Sequence, residues 1–308
     1  MMNSLKKIYV GMSGWMQLLF IIIFSFVGIM ILSFALILVF LVTGMQSQGL
    51  EVLTASADFI RINLSLQSPL LFLLPACLWA YFFNEKGIEA LKINKTPDLR
   101  FLLLGLALII VIQPIISFTG YYNDQLVLPE SLSWLEEKMR ASEDRAAALF
   151  DTLLAGKTIT DLVLNLLLVA VMAGICEEFL FRGAIQQIFG KITRNPHLAV
   201  WITAIIFSAI HMQFYGFVPR VILGAALGYL FVWSGNLWIP IIIHTVNNAF
   251  SVIACWAESP DENYSKSIEQ IGVGDTWWMT LVSALLTGIV VFYLVKIYNK
   301  RRIIEGEI

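Results

Sequence analysis

Residues 161–182 read DLVLNLLLVAVMAGICEEFLFR, an apolar run that is interrupted near its end by two glutamates and an arginine. A transmembrane helix needs about 20 mostly apolar residues, so the run is long enough to cross a bilayer. A charge near the bilayer centre costs at least ~2.5–3.5 kcal/mol, and such residues are kept where they pair, face the protein interior or serve a function. The stretch therefore predicts a membrane helix with a polar side turned to the inside of the protein.

The composition of the whole chain also indicates that the protein lies in a lipid bilayer. Of its 308 residues, 58% are hydrophobic and 14% are charged, and the mean hydropathy is +0.80. A soluble domain has about 25% charged residues. The chain therefore has the lipid bilayer as its partner. Its net charge of −2, without a basic run, predicts no nucleic-acid partner.

Seven further stretches are apolar and long enough to be spans. Together they predict an all-α polytopic membrane protein, with about eight transmembrane helices around an intramembrane polar cavity, in a single membrane domain over residues 1–308. The eight predicted spans cover residues 17–43, 67–84, 101–119, 160–189, 197–214, 217–234, 237–257 and 275–297.

The distribution of Lys and Arg predicts the orientation of the chain. If the N-terminus is cytoplasmic, thirteen of the twenty basic residues lie in inner segments and seven in outer ones, as the positive-inside rule requires. Both termini are then cytoplasmic. Residues 121–157 form an outer, extracytoplasmic loop, in which apolar residues at helical spacing predict an amphipathic helix. We interpret that helix as lying on the membrane surface; a substrate-guiding lid is the alternative.

Spacing separates the roles of the two glutamates in the fourth span. Glu178 and Arg182 are four residues apart and share a helix face, so they predict a buried ion pair. Glu177 points about 100° away from Glu178 and needs another partner. A purely structural clasp between helices would explain these three residues equally well.

Two histidines in later spans favour a functional site. His211 ends the apolar run of the fifth span, and His244 and Asn248 lie four residues apart in the seventh span. Counted along ideal helices, these residues and Glu177 lie ~10–22 Å from the inner membrane edge. We therefore expect Glu177, His211, His244 and Asn248 to converge on one cavity within the bilayer.

Such a cavity permits two kinds of hydrolysis. In the first, which we favour, Glu177 activates a water as general base, His211 holds that water, and His244 and Asn248 donate hydrogen bonds to the oxyanion. In the second, Glu177, His211 and His244 bind a catalytic zinc, with Glu178 as base. The chain lacks the H-E-x-x-H motif that places two zinc ligands on one helix.

Other functions use the same residue types. Buried Glu and His also form proton relays in transporters, so a proton-coupled membrane transporter is an alternative, although the paired half-sequences and broken helices of many transporters are not visible here. A non-catalytic immunity or scaffold protein that retains the fold is a further alternative.

The polar residues of the three spans also carry a family resemblance. The chain resembles the CPBP family of intramembrane peptidases, which includes the CAAX prenyl endopeptidases of type II and the bacteriocin-processing and immunity-associated Abi proteins. The resemblance covers residues 160–255, and its motifs are Glu177-Glu178-x-x-x-Arg182, Phe207-x-x-x-His211 and His244-x-x-x-Asn248.

This resemblance implies a fold and an activity. It implies an endopeptidase of a bacterial cytoplasmic membrane, with a conical cavity, that cleaves a membrane-associated peptide or protein. By analogy Glu177 activates water with the help of His211, and His244 and Asn248 form the oxyanion site. Glu178 and Arg182 are supporting residues. Members of the family are often called metalloproteases, although the role of a metal is disputed, so the resemblance implies no certain cofactor and leaves zinc as a candidate.

Overall fold

The structure is a computed structural model that describes residues 8–43, 56–257 and 271–304. Within these ranges the chain is helical and contains no β-strand. The principal helices are α1 (Gly14–Thr43), α2 (Ala57–Phe83), α3 (Leu99–Val111), α4 (Gln113–Asp124), α5 (Ser133–Leu154), α6 (Ile159–Thr193), α7 (Pro196–Ala209), α8 (Phe217–Ser234), α9 (Trp238–Ala257) and α10 (Trp278–Ile304).

The helices confirm an all-α polytopic membrane protein. Six of them, α1, α2, α6, α8, α9 and α10, are long and apolar enough to cross a membrane by themselves. A seventh span is formed if α3 and α4, which meet at a bend of 41°, cross together. The apolar helix α7 is shorter, and with it each of the eight predicted spans has a helical counterpart.

The bend between α3 and α4 has a local cause. Pro114 occupies the first turn of α4, and proline has no N–H to donate to the preceding turn. A proline is also among the usual causes of a sharp kink. The predicted span 101–119 is therefore a bent helix pair, and α4 continues to Asp124.

The chain divides into two compact units that alternate along the sequence. The first comprises residues 1–94, 147–199 and 244–256, and the second comprises residues 95–146, 200–243 and 257–308. The expected single membrane domain over residues 1–308 stays a prediction, and so does the polar cavity. The two termini were predicted to be cytoplasmic, and the terminal residues 1–7 and 305–308 lie outside the described ranges.

The first unit is built around α6. In the middle of this long helix, two π-helical stretches, Leu166–Met172 and Phe179–Ile185, lie on either side of the short α-helical segment Ala173–Glu178. Its start is tied to α2 by Arg61, which donates 2.8 Å to Asp161 Oδ1 and 3.2 Å to Asn165 Oδ1. Since π-helical turns occur frequently at functional sites, they mark this part of α6 as a place to look for one.

The second unit has an apolar core. Its buried side chains come from α3, α8, α9 and α10, and include Phe101, Leu108, Leu227, Leu230, Ile239, Ile243 and Leu294. At Gly224 of α8 an added Cβ would lie 3.2 Å from the Cα and the Cβ of Ala204 on α7. Gly224 therefore allows close packing of α7 against α8. With Gly228 it forms a Gly-x-x-x-Gly motif, which is typical of close helix packing in membranes.

The loop region 121–157 contains the expected helix. Helix α5 occupies Ser133–Leu154 and follows a short 3-10 turn, Glu130–Leu132, that Pro129 precedes. The extracytoplasmic position of this region stays a prediction.

The fifth predicted span needs a correction. The sequence predicts a span over residues 197–214, whereas α7 ends at Ala209 and His211 lies in the turn that follows. Met212 adopts a positive φ of 53°, a left-handed conformation that a helix cannot continue through. His211 is therefore carried by the end of a short helix and the loop after it.

Candidate active site

A fully buried carboxylate forms the centre of the site in the first unit. Glu178 and Arg182 are both 0% exposed, and Arg182 Nη1 donates to Glu178 Oε1 over 2.6 Å. This confirms the predicted ion pair. A guanidinium only donates, so Glu178 Oε1 is the acceptor of this bond. Buried charges are tolerated when they are paired and hydrogen-bonded in this way.

The same carboxylate oxygen also binds a histidine from a different helix. His244 Nδ1 lies 2.8 Å from Glu178 Oε1, and His244 is 3% exposed. An ionised carboxylate accepts and cannot donate, so His244 Nδ1 carries the hydrogen of this bond. This bond fixes the orientation of the His244 ring, so that Nε2 points away from Glu178.

His244 Nε2 is directed at the second glutamate. The distance from His244 Nε2 to Glu177 Oε2 is 3.9 Å, which is too long for a direct hydrogen bond. Hydrogen bonds to a water oxygen are about 2.8 Å long, so a single water can bond to both atoms. The Glu177 side chain is 15% exposed and that of His244 is 4% exposed, which leaves Glu177 the more accessible of the two.

Close packing between α6 and α9 brings these side chains together. At Gly174 an added Cβ would overlap Thr245 Oγ1 and lie 3.1 Å from Thr245 N. The two backbones can approach this closely only because Gly174 has no side chain. At the end of α9, Lys157 Nζ donates 2.6 Å to the carbonyl oxygen of Cys255. Both contacts hold the segment with His244 against the glutamate pair.

Asn248 is fixed one turn beyond His244. Its Nδ2 donates 3.1 Å to the carbonyl oxygen of Val169, which lies in the first π-helical stretch of α6. A side-chain amide has two N–H hydrogens, and this bond uses one of them. The bond therefore orients the amide group and leaves its second hydrogen for another acceptor.

His211 belongs to the second unit and is described within it. Its Nδ1 lies 2.7 Å from the carbonyl oxygen of Phe207, and the two rings make an edge contact with centroids 5.0 Å apart. A carbonyl oxygen only accepts, so His211 Nδ1 carries the hydrogen and Nε2 is the nitrogen that can take part in chemistry. The structure thus brings together Glu177, Glu178, Arg182 and His244. Asn248 lies in the same unit and contacts Val169, and His211 belongs to the second unit.

The two histidines of the site share one feature with metal ligands. A histidine whose Nδ1–H is held by a carboxylate or carbonyl, as in His244 and His211, is typical of metal ligands. However, in the described ranges no group of three or more His, Cys, Asp or Glu side chains is placed to hold a metal ion. The zinc ligand set Glu177, His211 and His244 stays a prediction.

Two features of the site were missed by sequence reasoning. The hydrogen bond from His244 to Glu178 joins residues 66 positions apart, and no local spacing indicates it. The close approach at Gly174 lies three residues before the glutamate pair, and a glycine inside a helical run is a signal for such packing.

Comparisons with known proteins agree with the motifs. Residues 159–250 match the model of the family described as type II CAAX prenyl endopeptidase Rce1-like. The uncharacterized protein YpbD of Bacillus subtilis (strain 168) is 24% identical over 190 residues, which cover 60% of this chain and 84% of that protein.

Two further relatives are similar over part of the chain. The membrane-embedded CAAX protease MroQ of Staphylococcus aureus (strain USA300) is 26% identical over 209 residues, covering 65% of this chain and 70% of its own. An uncharacterized 24.3 kDa protein of Escherichia coli is 30% identical over 96 residues, covering 30% of this chain and 44% of its own. No solved structure matches the chain at a comparable level of significance.

The matched segment contains all six predicted site residues, and it begins and ends close to the limits that the motifs predict. Residues 159–250 of this chain are therefore similar to the type II CAAX prenyl endopeptidases, in agreement with the resemblance to the CPBP family that the sequence motifs carry.

Proposed function

We propose that the protein is an intramembrane endopeptidase that hydrolyses a peptide bond of a membrane-associated peptide or protein. The observation that supports this most directly is the 3.9 Å between Glu177 Oε2 and His244 Nε2. That gap fits one water molecule between a carboxylate that can take its proton and a histidine that can stabilise the product of its attack.

In the proposed reaction Glu177 acts as general base. Its carboxylate takes a proton from the water, while the water oxygen forms a bond to the substrate carbonyl carbon and the carbonyl electrons move to its oxygen. When the tetrahedral intermediate collapses, the C–N bond breaks and the protonated Glu177 returns the proton to the leaving amine. The products are a carboxylic acid and an amine, and Glu177 is regenerated.

Two donors stabilise the oxyanion in this proposal. Asn248 supplies the amide hydrogen that is not used by Val169. His244 supplies Nε2–H when it is an imidazolium, in which both nitrogens carry hydrogen.

The remaining residues act on these groups. Glu178 orients the His244 ring, and Arg182 holds the Glu178 carboxylate in place. His211 holds the attacking water through Nε2. If zinc is bound, Glu177, His211 and His244 would hold it and it would activate water as a Lewis acid; the proposed steps above do not use it.

The substrate is proposed only by class. The Staphylococcus relative is named as a CAAX protease, and a prenylated protein is one member of the class that we propose. We place the protein in a bacterial cytoplasmic membrane with both termini cytoplasmic. Reporter fusions at each terminus test the orientation, and a reporter that is active only on the outer side would contradict it.

Two matched variants test the mechanism. The purified protein is incubated with a library of membrane peptides, and the wild type is compared with Glu177→Gln and His244→Ala. We expect both variants to lose cleavage. Glu177→Gln keeps the size of the side chain and should also keep the melting temperature of the wild type, whereas His244→Ala removes a partner of the buried Glu178 and should lower it. Glu137→Gln, on the exposed face of α5, is the control for removal of one carboxylate.

The outcomes separate the candidate functions. Cleavage that persists in Glu177→Gln would remove the proposed base. Absence of cleavage by the wild type, together with proton-coupled uptake in vesicles, would favour the transporter. A metal assay on the same purified protein tests zinc, because a stoichiometric metal that is lost in His244→Ala would assign it to this site.

A further inference from the structure

The loop that follows His211 is held in an unusual way. Between α7 and α8, residues 210–216 form only turns, among them the 3-10 turn Phe214–Gly216. Backbone N–H and C=O groups that are taken out of water need other hydrogen-bond partners. In this loop, side chains satisfy them at several successive positions.

Asn123, near the end of α4, makes the central contacts. Its Nδ2 donates 2.9 Å to the carbonyl oxygen of Phe214, and its Oδ1 accepts from Val218 N over 2.7 Å. Asn123 is 5% exposed, so water has little access to replace either hydrogen bond. One amide group thus fixes the end of the loop and the first turn of α8.

Helix α5 supplies a second set of contacts. Ser142 Oγ donates 2.9 Å to the carbonyl oxygen of Met212, the residue directly after His211. Glu143 Oε2 accepts from Tyr215 N over 3.4 Å. The Arg140 guanidinium lies 3.8 Å from the ring centroid of Tyr215, a distance that is typical of a cation–π contact.

Two residues of the loop's own flanks complete the arrangement. Ser208 Oγ donates 2.8 Å to the carbonyl oxygen of Phe217. Arg220 Nη1 donates 3.1 Å to the carbonyl oxygen of Gln213. Side chains therefore bind the carbonyl oxygens of Met212 and the next two residues, and the bonds reach as far as the start of α8.

We infer that Asn123, together with Arg140, Ser142 and Glu143 of α5, forms a clamp that positions His211 for the proposed reaction. Met212 is the point of transmission, because it has a positive φ of 53° and its carbonyl is held by Ser142. The clamp residues all precede residue 159, where the family match begins. The region before the matched segment then takes part in catalysis through His211. This inference rests on the proposed function of His211.

The first test measures turnover. A misplacement of about 1 Å can lower a rate by as much as ~10²-fold, so Asn123→Ala is expected to lower kcat by ~10–10²-fold with an unchanged KM. Gln125→Ala, two residues further on and exposed, is the matched control and should keep the wild-type rate. A wild-type kcat in Asn123→Ala would overturn the inference.

The second test asks whether the effect passes through His211. In a His211→Ala background, Asn123→Ala should produce no additional loss of turnover, because residues that act as a unit are not additive. An equal loss in both backgrounds would show a general structural role and would overturn the inference.

A conservative variant provides a rescue. Glu143→Ala removes the acceptor for Tyr215 N and should lower kcat, whereas Glu143→Gln retains an oxygen acceptor at the same place and should restore it. Glu137→Ala on the same helix is the control. A Glu143→Gln rate as low as that of Glu143→Ala would contradict the proposed contact.

Hydrogen exchange tests the clamp without any substrate. In Asn123→Ala, amides of residues 212–218 should exchange faster, while amides around residues 173–178 should keep their wild-type rates. Unchanged exchange in the loop would overturn the inference. If His211→Ala retains full turnover, the role of His211 in the proposed function fails, and the exchange result still decides whether the clamp exists.

Discussion

The two parts of the candidate site are held by different kinds of interaction. In the first unit, Glu178 is held by two side chains, Arg182 and His244, and all three are buried. In the second unit, His211 is followed by a loop whose backbone is bound by side chains such as Asn123 and Ser142. The first arrangement depends on charge at low dielectric constant, whereas the second depends mainly on hydrogen bonds to the backbone.

This difference in interactions predicts that mutations in the two parts will have different effects on stability. Removing one partner of a buried ion pair leaves an uncompensated charge, which is strongly unfavourable. Removing one donor of a backbone hydrogen bond leaves a neutral group unsatisfied, and its penalty is smaller. The charge cluster should therefore control folding of its unit, and the loop contacts should control geometry.

The largest expected effect is that of Arg182→Met. The substitution keeps much of the side-chain volume but removes the cation that pairs with the buried Glu178. We therefore expect a loss of about 3–5 kcal/mol in the free energy of unfolding. Asn123→Ala should lose only about 1–3 kcal/mol. Denaturant unfolding of both variants in the same detergent measures this difference. Equal losses would contradict the expectation that the buried charged contacts contribute more to stability than the neutral ones.

Asn248→Ala should have the next largest effect, on turnover. Removal of one oxyanion donor lowers the rate by ~10²–10³-fold, and KM should change little because the interaction develops in the transition state. The measurement is steady-state cleavage of a peptide that the wild type cleaves. Ser251→Ala, at an exposed polar position of the same helix, is the control. An unchanged rate in Asn248→Ala would assign that residue a structural role only.

Gly174→Ala tests whether the close packing of α6 against α9 positions the residues of the first unit. The new methyl group would overlap Thr245, so we expect a loss of about 1–3 kcal/mol in the free energy of unfolding and reduced turnover through displacement of His244. Gly190→Ala in the same helix is the matched control, since an added Cβ there meets no atom within 4 Å. That variant should be neutral or more stable by up to about 1 kcal/mol.

If Gly174→Ala and Gly190→Ala have the same stability and turnover, the close approach between α6 and α9 does not position the site. A thermal melt and an activity assay on both proteins decide this.

The smallest effect is expected at an ion pair near water. Asp98 caps α3 through Arg100 N and pairs with the Arg100 side chain at 2.7 Å. The hydrogen bond from the Arg100 side chain lowers the pKa of Asp98 below its ordinary value. Because the pKa is lowered in the folded state, the stabilisation is present above the ordinary Asp pKa and is lost as the pH falls through the lowered value.

Asp98→Asn tests this pair. We expect a loss of at most about 1 kcal/mol at neutral pH, because the Arg100 side chain is 64% exposed and exposed pairs contribute little. In unfolding experiments the difference between wild type and variant should shrink as the pH falls below about 4. A loss as large as that of Arg182→Met would mean that burial does not set the strength of these pairs.

Much of the site could be predicted because its residues are out of place in an apolar sequence. Glu177, Glu178 and Arg182 stand in a membrane span, and the spacing of four between Glu178 and Arg182 is enough to predict their ion pair. The Asn123 contacts could not be predicted in this way. Asparagine is common in loops, and its two bonds reach residues more than 90 positions away.

The amino-acid sequence alone determined that the chain is a helical membrane protein with buried acidic and basic residues, because composition and the period of a helix are local properties. The tertiary structure decided which atoms meet. In the tertiary structure His244 Nδ1 is hydrogen-bonded to Glu178 and Nε2 faces Glu177. Helix α7 ends two residues before His211. These contacts depend on packing between distant segments, such as the approach of Thr245 to Gly174, and no local pattern in the sequence contains that information.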